Sequence, residues 1–261
     1  MPDWSGRSEA TPPLSLSNFI QPVCTLGIIP ARLASTRLPR KVLREIAGRP
    51  MLAWVYAAAR ACAQLDNVLI ATDSGEVERL CNDHGWPVVM TSPELASGSD
   101  RVHAVAQTHP ADIYVNIQGD EPLLRPEHLT ALLAPFESST AEVTTLKVLC
   151  TPANLANPNA VKVVTALDGR ALYFSRSTIP YDRDGTGAPV WKHLGIYAYR
   201  AAALARFHAL PPSPLELSER LEQLRFLENN IPVHVAETPF DTIGVDTEDD
   251  LRRVEAILCK R

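Results

Sequence analysis

Leu26 to Pro50 reads LGIIPARLASTRLPRKVLREIAGRP. The apolar run Leu26, Ile28, Ile29 has the length and composition of a buried strand, and Pro30 marks its end. Immediately beyond it, Arg32, Arg37, Arg40 and Lys41 crowd into one short segment with Ser35 and Thr36. Open α/β sheets bind ligands in the crevice outside the carboxyl ends of their strands. Cations packed this densely repel one another unless an anion lies among them, and guanidinium forks match phosphate oxygens. The segment therefore reads as a loop that holds a triphosphate. A solvated basic turn would account for the cations alone; the strand in front of them favours phosphate.

The loop has neither G-x-x-x-x-G-K-[ST] nor G-x-G-x-x-G, so side-chain cations rather than glycine backbone must form its cradle. That argues against a P-loop ATPase and a dinucleotide-binding dehydrogenase. No D-x-D stands at a strand end, which disfavours a glycosyltransferase of that type. The chain has 261 residues, 46% hydrophobic and 21% charged, enough for one full core. Its net charge of −5 shows no basic excess, so a small anionic ligand is expected and nucleic acid is not. The five cysteines form no CxxC and no zinc spacing, and most are expected to be buried thiols. No secretory signal or membrane-length apolar run is visible, so a cytoplasmic protein without membrane contact is expected. Residues 1–22 are expected to be a disordered tail, and 23–261 a single domain.

Strand-like and helical runs alternate outward from the first strand: Thr25–Pro30, helix Met51–Gln64, strand Asn67–Thr72, helix Gly75–His84 ended by Gly85, strand Trp86–Met90, helix Asp100–Gln107, strand Asp112–Gln118, and a helix from Pro126. This order predicts an α/β fold with a parallel sheet and right-handed crossovers. Strand candidates Glu142–Cys150, Ala160–Ala166, Ala171–Phe174 and Val190–Tyr199 then predict a mixed or antiparallel extension. One continuous helix is predicted over Leu215–Asn229. A closing helix follows over Thr247–Lys260, with Thr247 as cap and Asp250 completing a capping box.

Two carboxylates end apolar runs. Asp120, in Gln118-Gly119-Asp120-Glu121-Pro122, projects from the same sheet edge as the basic loop; Gly119 lets the backbone turn or approach a neighbour closely. Asp246 stands in Gly244-Val245-Asp246-Thr247. With the cationic loop they form a coherent Mg²⁺ and triphosphate site, although a loop aspartate or a helix-start residue would explain either one alone. Ser97-Gly98-Ser99-Asp100-Arg101 and Thr72-Asp73 are turns that can serve a base or sugar, or simply cap helices. If Trp191–Tyr197 is a strand, His193 and Tyr197 share a face. With Arg176 and Gln223 they carry the groups that a polyhydroxy acid would need, Arg176 taking its carboxylate.

The ordered set IIPARLASTRLPRK, IATD, SGSDR, NIQGDEP, NPNAVKVV, ALYFSRSTIP, KHLGIYAYR, LEQLR and GVDTEDDL resembles the 3-deoxy-manno-octulosonate cytidylyltransferases from about Val23 to Leu258. The resemblance implies a Rossmann-like nucleotidyltransferase fold with a mostly parallel mixed sheet flanked by helices. It also implies a sugar-binding and dimerisation extension at about 138–200 and a homodimer. CTP and 3-deoxy-D-manno-octulosonate (Kdo) would give CMP-Kdo and pyrophosphate with Mg²⁺, for lipopolysaccharide assembly. It places Arg32, Ser35, Thr36, Arg37 and Lys41 on the nucleotide phosphates, Asp120 and Asp246 on the metal, and Arg176, His193, Tyr197, Glu222 and Gln223 on the sugar, with Gln118 between the ligands. Arg37, Lys41 and Asp120 would carry the catalytic charge. Thr72, Asp73, Ser97, Gly98, Ser99 and Arg101 would complete the nucleotide site. Two positions depart from the family: Arg40 stands where glycine is usual, and Ser99 where threonine is. The competing readings are the same reaction on 8-amino-8-deoxy-Kdo and a non-catalytic sugar-nucleotide binder. The latter would have lost a metal carboxylate, and both are present.

Overall fold

Strand β1 (Thr25–Pro30) is buried on both faces, because its alternating side chains enter two different cores. Ile29 packs on one side of the sheet with Val55, Val77 and Leu129; Leu26 and Ile28 pack on the other with Val102, Tyr199 and Phe207. Full burial of each such side chain contributes roughly 1.5–3 kcal/mol. The computed structural model describes residues 23–33, 37–138 and 140–260. The expected tail 1–22 and the loop residues Ser35 and Thr36 lie outside the described residues.

After β1 come a small hairpin, β2 (Glu45–Ile46) and β3 (Arg49–Pro50), then α1 (Met51–Arg60), β4 (Asn67–Thr72), α2 (Gly75–His84), β5 (Val88–Met90), α3 (Gly98–Ala106), β6 (Ile113–Asn116) and α4 (Pro126–Ser138). The second half holds β7 (Val143–Leu149), α5 (Pro152–Leu155), β8 (Lys162–Thr165), β9 (Ala171–Ser175), β10 (Trp191–Arg200), α6 (Ala201–Ala209), α7 (Pro214–Glu219), α8 (Leu224–Glu228), β11 (Val233–Glu237) and α9 (Glu248–Leu258). The main sheet runs β11-β7-β10-β6-β1-β4-β5. β6, β1, β4 and β5 are parallel, β10 is antiparallel to both β6 and β7, and β8 and β9 extend the sheet antiparallel from β10. This is the mixed, mostly parallel sheet that the sequence predicts. The chain leaves β1 toward β4 and returns on its other side at β6, so the topological switch point lies between the ends of β1 and β6. That is the crevice where such sheets bind ligands.

The predicted caps are present: Gly85 ends α2 at φ 66, and Ser97/Asp100 and Thr247/Asp250 form capping boxes on α3 and α9. Ser74, not singled out in the sequence, caps the start of α2. Some expectations need correction. The predicted helix Leu215–Asn229 is two helices, broken where Arg220 adopts the left-handed conformation at φ 54. Glu222 and Gln223 therefore sit in a turn rather than mid-helix. Helix α6 and strand β11 were not predicted, although AAALARFHA has strong helix formers and β11 alternates buried and half-buried residues. The cysteines divide differently from expectation: Cys62 and Cys81 are buried, Cys150 is half-buried, and Cys24 and Cys259 are exposed where they flank the first strand and last helix. Among the described residues no helix is long and apolar enough to cross a membrane.

Candidate active site

Three segments converge at the switch point. The loop after β1 carries Arg32, Arg37 and Lys41. The turn after β6 carries Gln118, Gly119 and Asp120. The segment before α9 carries Asp246. Gly119 is required here because a Cβ would stand 2.8 Å from the Pro30 carbonyl oxygen. The close approach is thus to β1 rather than to a ligand, and it sets Asp120 against the basic loop. Asp246 is brought alongside by a backbone bond, Val245 N–H donating to Asp120 O at 2.9 Å.

Lys41 is the electrostatic centre. Its ammonium donates to Asp120 Oδ2 at 2.5 Å and to Asp246 Oδ1 at 2.9 Å. Burial alone would lower its pKa, but Asp120 and Asp246 outweigh that and raise it, so Lys41 is held charged. Arg37 pairs with the other oxygen of Asp246 at 2.9 Å. Lys41 gathers two carboxylates to one point, and a hard cation such as Mg²⁺ takes one or two carboxylate oxygens when phosphate oxygens complete its shell. The donor set fits.

Two cavities meet at this junction. The first, about 350 Å³, is lined by Arg32, Arg37, Lys41, Ser97, Gly98, Arg101 and Gln118, among others. Its cations and the N-terminus of α3 suit an anion. The second, about 730 Å³, is lined by Arg176, His193, Tyr197 and Gln223 and by residues of the 151–160 and 241–253 segments. Arg37, Gln118, Asp120 and Asp246 belong to both walls.

The cytidylyltransferase family matches residues 26–237. A 3-deoxy-manno-octulosonate cytidylyltransferase of Acidobacterium capsulatum is 67% identical over 237 residues, covering 90% of this chain and 97% of that relative. One from Koribacter versatilis is 61% identical over 240 residues, covering 92% of each. The solved structure of a CMP:2-keto-3-deoxy-manno-octonic acid synthetase complexed with CTP superposes with a TM-score of 0.87 at 40% identity, covering 91% of this chain and 99% of that one. The chain belongs to the 3-deoxy-manno-octulosonate cytidylyltransferase family. A cytidylyltransferase from Leptospira borgpetersenii shares the fold, with a TM-score of 0.61 at 17% identity.

In this cytidylyltransferase, not every residue singled out in the sequence faces a cavity. Thr72 is a buried strut: its hydroxyl donates to Ala31 O at 2.5 Å and accepts from Ser74 N–H at 3.1 Å. Asp73 sits behind the cavity wall and pairs with the buried Arg101 at 3.2 Å. Arg32 donates to Ala96 O at 3.2 Å, tying the loop after β1 to the segment before α3. Ser99 is buried beside Tyr199 and Glu222. Glu222 is absent from the second cavity's wall; burial pushes its carboxyl up, and Ser99 partly offsets this.

Arg176 reaches the second cavity, but its guanidinium is largely engaged, donating to Glu219 O at 2.7 Å, Pro158 O at 3.0 Å and Arg220 O at 3.2 Å. It therefore pins the left-handed turn at Arg220 that carries Gln223. Glu121, Asn157, Asn159 and Lys192, not singled out in the sequence, all lie on the second cavity's wall. Each lies inside a quoted motif, and a polar residue inside such a motif was the available signal. Lys192 donates to Asp241 Oδ1 and Thr242 O, both at 2.8 Å. Burial, reinforced by the neighbouring Asp120, pushes the Glu121 carboxyl up to about 7.

Proposed function

We propose that the chain transfers CMP from CTP to the anomeric 2-hydroxyl of Kdo, giving CMP-Kdo and pyrophosphate. The observation that carries this reading is the junction itself: a cation-lined cavity and a larger polar cavity share Asp120, Asp246, Gln118 and Arg37. CTP in the first cavity would present its α-phosphorus to an acceptor in the second. The 2-hydroxyl oxygen forms a bond to the α-phosphorus, the bond from that phosphorus to the oxygen bridging to the β-phosphorus breaks, and the hydroxyl proton is lost as pyrophosphate departs. Such a transfer depends on positioning and charge stabilisation more than on covalent help.

Arg37 and Lys41 stabilise the charge that develops on the leaving pyrophosphate. Asp120, on the wall of both cavities, would take the hydroxyl proton. Arg32 and the α3 N-terminus at Ser97 and Gly98 orient the nucleotide, and Gln118 reaches both ligands. Asp120 and Asp246 would bind Mg²⁺, which when bound supplies charge neutralisation and acidifies an adjacent hydroxyl. The same reading takes the enzyme to be cytoplasmic, to supply activated Kdo for lipopolysaccharide, and to be a homodimer. Exposed Leu167, Leu172 and Tyr181 on and after the β8–β9 hairpin support the dimer, a state that sedimentation equilibrium reads directly.

Asp120→Asn tests the reading. It retains the side-chain shape and one partner for Lys41, so the fold and melting temperature should hold. Formation of CMP-Kdo, followed by ³¹P NMR, should fall at least ~10²-fold, as when one electrostatic group of an active site is removed. Near-normal turnover would remove Asp120 from the mechanism.

A further inference from the structure

The second cavity contains a histidine whose protonation the surrounding backbone decides. Thr145 lies in the middle of β7 and is fully buried. Opposite it, β10 is irregular: Leu194 pairs with Leu146, but the next pairing, of Thr145, is with Tyr197, so Gly195 and Ile196 are additional residues. At this bulge two carbonyls face one hydroxyl. Thr145 Oγ1 is 2.8 Å from Ile196 O and 3.1 Å from Leu194 O. It is also 2.9 Å from Nε2 of His193.

Proton counting resolves this cluster. A threonine hydroxyl has one proton and two lone pairs, and a carbonyl oxygen has no proton to give. If the hydroxyl proton went to His193, two carbonyl oxygens would face the hydroxyl oxygen with no hydrogen between them. The proton therefore goes to the bulge carbonyls, and a lone pair of Oγ1 is left facing Nε2. That nitrogen must carry the hydrogen. The ring is enclosed, with Phe174 edge-on at 4.9 Å and Tyr197 tilted at 5.5 Å between centroids. Burial, with the neighbouring Lys192 charge, pushes its pKa down to about 3, so it holds only one proton near neutrality. Nδ1 is then a bare lone pair. It has no hydrogen-bond partner among the described residues, and the ring lines the second cavity.

We propose that Thr145 is a positioning residue that fixes His193 as the Nε2–H tautomer, so that His193 faces the acceptor sugar only as a hydrogen-bond acceptor and reads one of its hydroxyls, never its carboxylate. This rests on reading the second cavity as the acceptor site. The consequence is a division of labour: the sugar acid's carboxylate must be met by cations such as Lys192 or the remaining N–H groups of Arg176.

The test has two parts, so that failure of the proposal is distinguishable from failure of the acceptor reading. Long-range ¹H–¹⁵N correlation of labelled imidazole, in ligand-free protein near pH 7, reads the tautomer directly. Wild type should show His193 as Nε2–H, Thr145→Val should lose that preference, and Thr145→Ser should retain it. An Nδ1–H ring in wild type, or an unchanged ring in Thr145→Val, overturns the proposal. In steady-state kinetics, Thr145→Val should raise KM for Kdo about tenfold, the effect of one lost hydrogen bond, and leave KM for CTP unchanged. Thr145→Ser should restore it. Equal rises in both KM values would mean general disruption and would also overturn the proposal. If Thr145→Val does not fold, the wild-type tautomer and the Thr145→Ser kinetics still decide. Absence of Kdo turnover in wild type would count against the acceptor reading, while the tautomer spectrum would still decide what Thr145 does to His193.

Discussion

Arg40 shows most directly what one residue does here. It stands at φ 58 and ψ 30, the left-handed region, immediately before the Lys41–Leu43 turn. A side chain there costs of order 1 kcal/mol relative to glycine. Its compensation is an exposed ion pair with Glu76, and such pairs contribute little. Arg40→Gly should therefore raise the melting temperature by about 2–4 °C, as expected for ~1 kcal/mol in a chain of this size. A lower melting temperature, measured calorimetrically, would show that the ion pair outweighs the strain. The left-handed requirement was visible in the sequence only through the resemblance, as a glycine position occupied by arginine. The other residues at the junction were legible for a different reason. Lys41, Arg37, Asp120 and Asp246 are charged groups at the ends of apolar strands or before a helix, where a charge needs a purpose. Thr72, Asp73 and Glu222 follow the same surface pattern, yet they turn inward to brace the wall, and only the side-chain partners distinguish the two cases.

Among the elements, the first half of the sheet was readable because each strand and helix announces itself: an apolar run, a proline or glycine stop, a serine or threonine cap. The turn between α7 and α8 was not. SERLEQLR consists mostly of good helix formers, and local propensity predicts continuity. The break is imposed from elsewhere in the chain. Arg176, at the end of β9, donates to the carbonyls of Glu219 and Arg220, while Glu219 accepts from Ser175 Oγ at 2.6 Å and Arg176 N–H at 3.0 Å. This latch opposes helical continuation and turns Gln223 toward the second cavity. Arg176→Met keeps much of the side-chain bulk and removes the donors. It should lower the melting temperature and raise KM for Kdo by tenfold or more, with KM for CTP nearly unchanged. A variant that raises both KM values together would assign Arg176 to the junction rather than to the acceptor side.

For the whole molecule, topology brings the chemistry together. β1 and β6 end side by side at the switch point, and the return of the chain before α9 adds Asp246 by way of Val245 N–H on Asp120 O. Residues far apart in sequence thus become one junction between two cavities, a convergence that no local pattern encodes. The antiparallel extension builds the second cavity, and its irregular strand β10 both lines that cavity and orients His193. The central claim is that CMP passes across this junction to Kdo. The rate of pyrophosphate release from CTP and Mg²⁺, with Kdo, 8-amino-8-deoxy-Kdo or sialic acid offered in turn, measures it most directly. The account predicts release that depends on Kdo, with kcat/KM for Kdo well above that for the other two sugars. Release only with the amino sugar, or none with any sugar from folded protein that binds CTP, would contradict it.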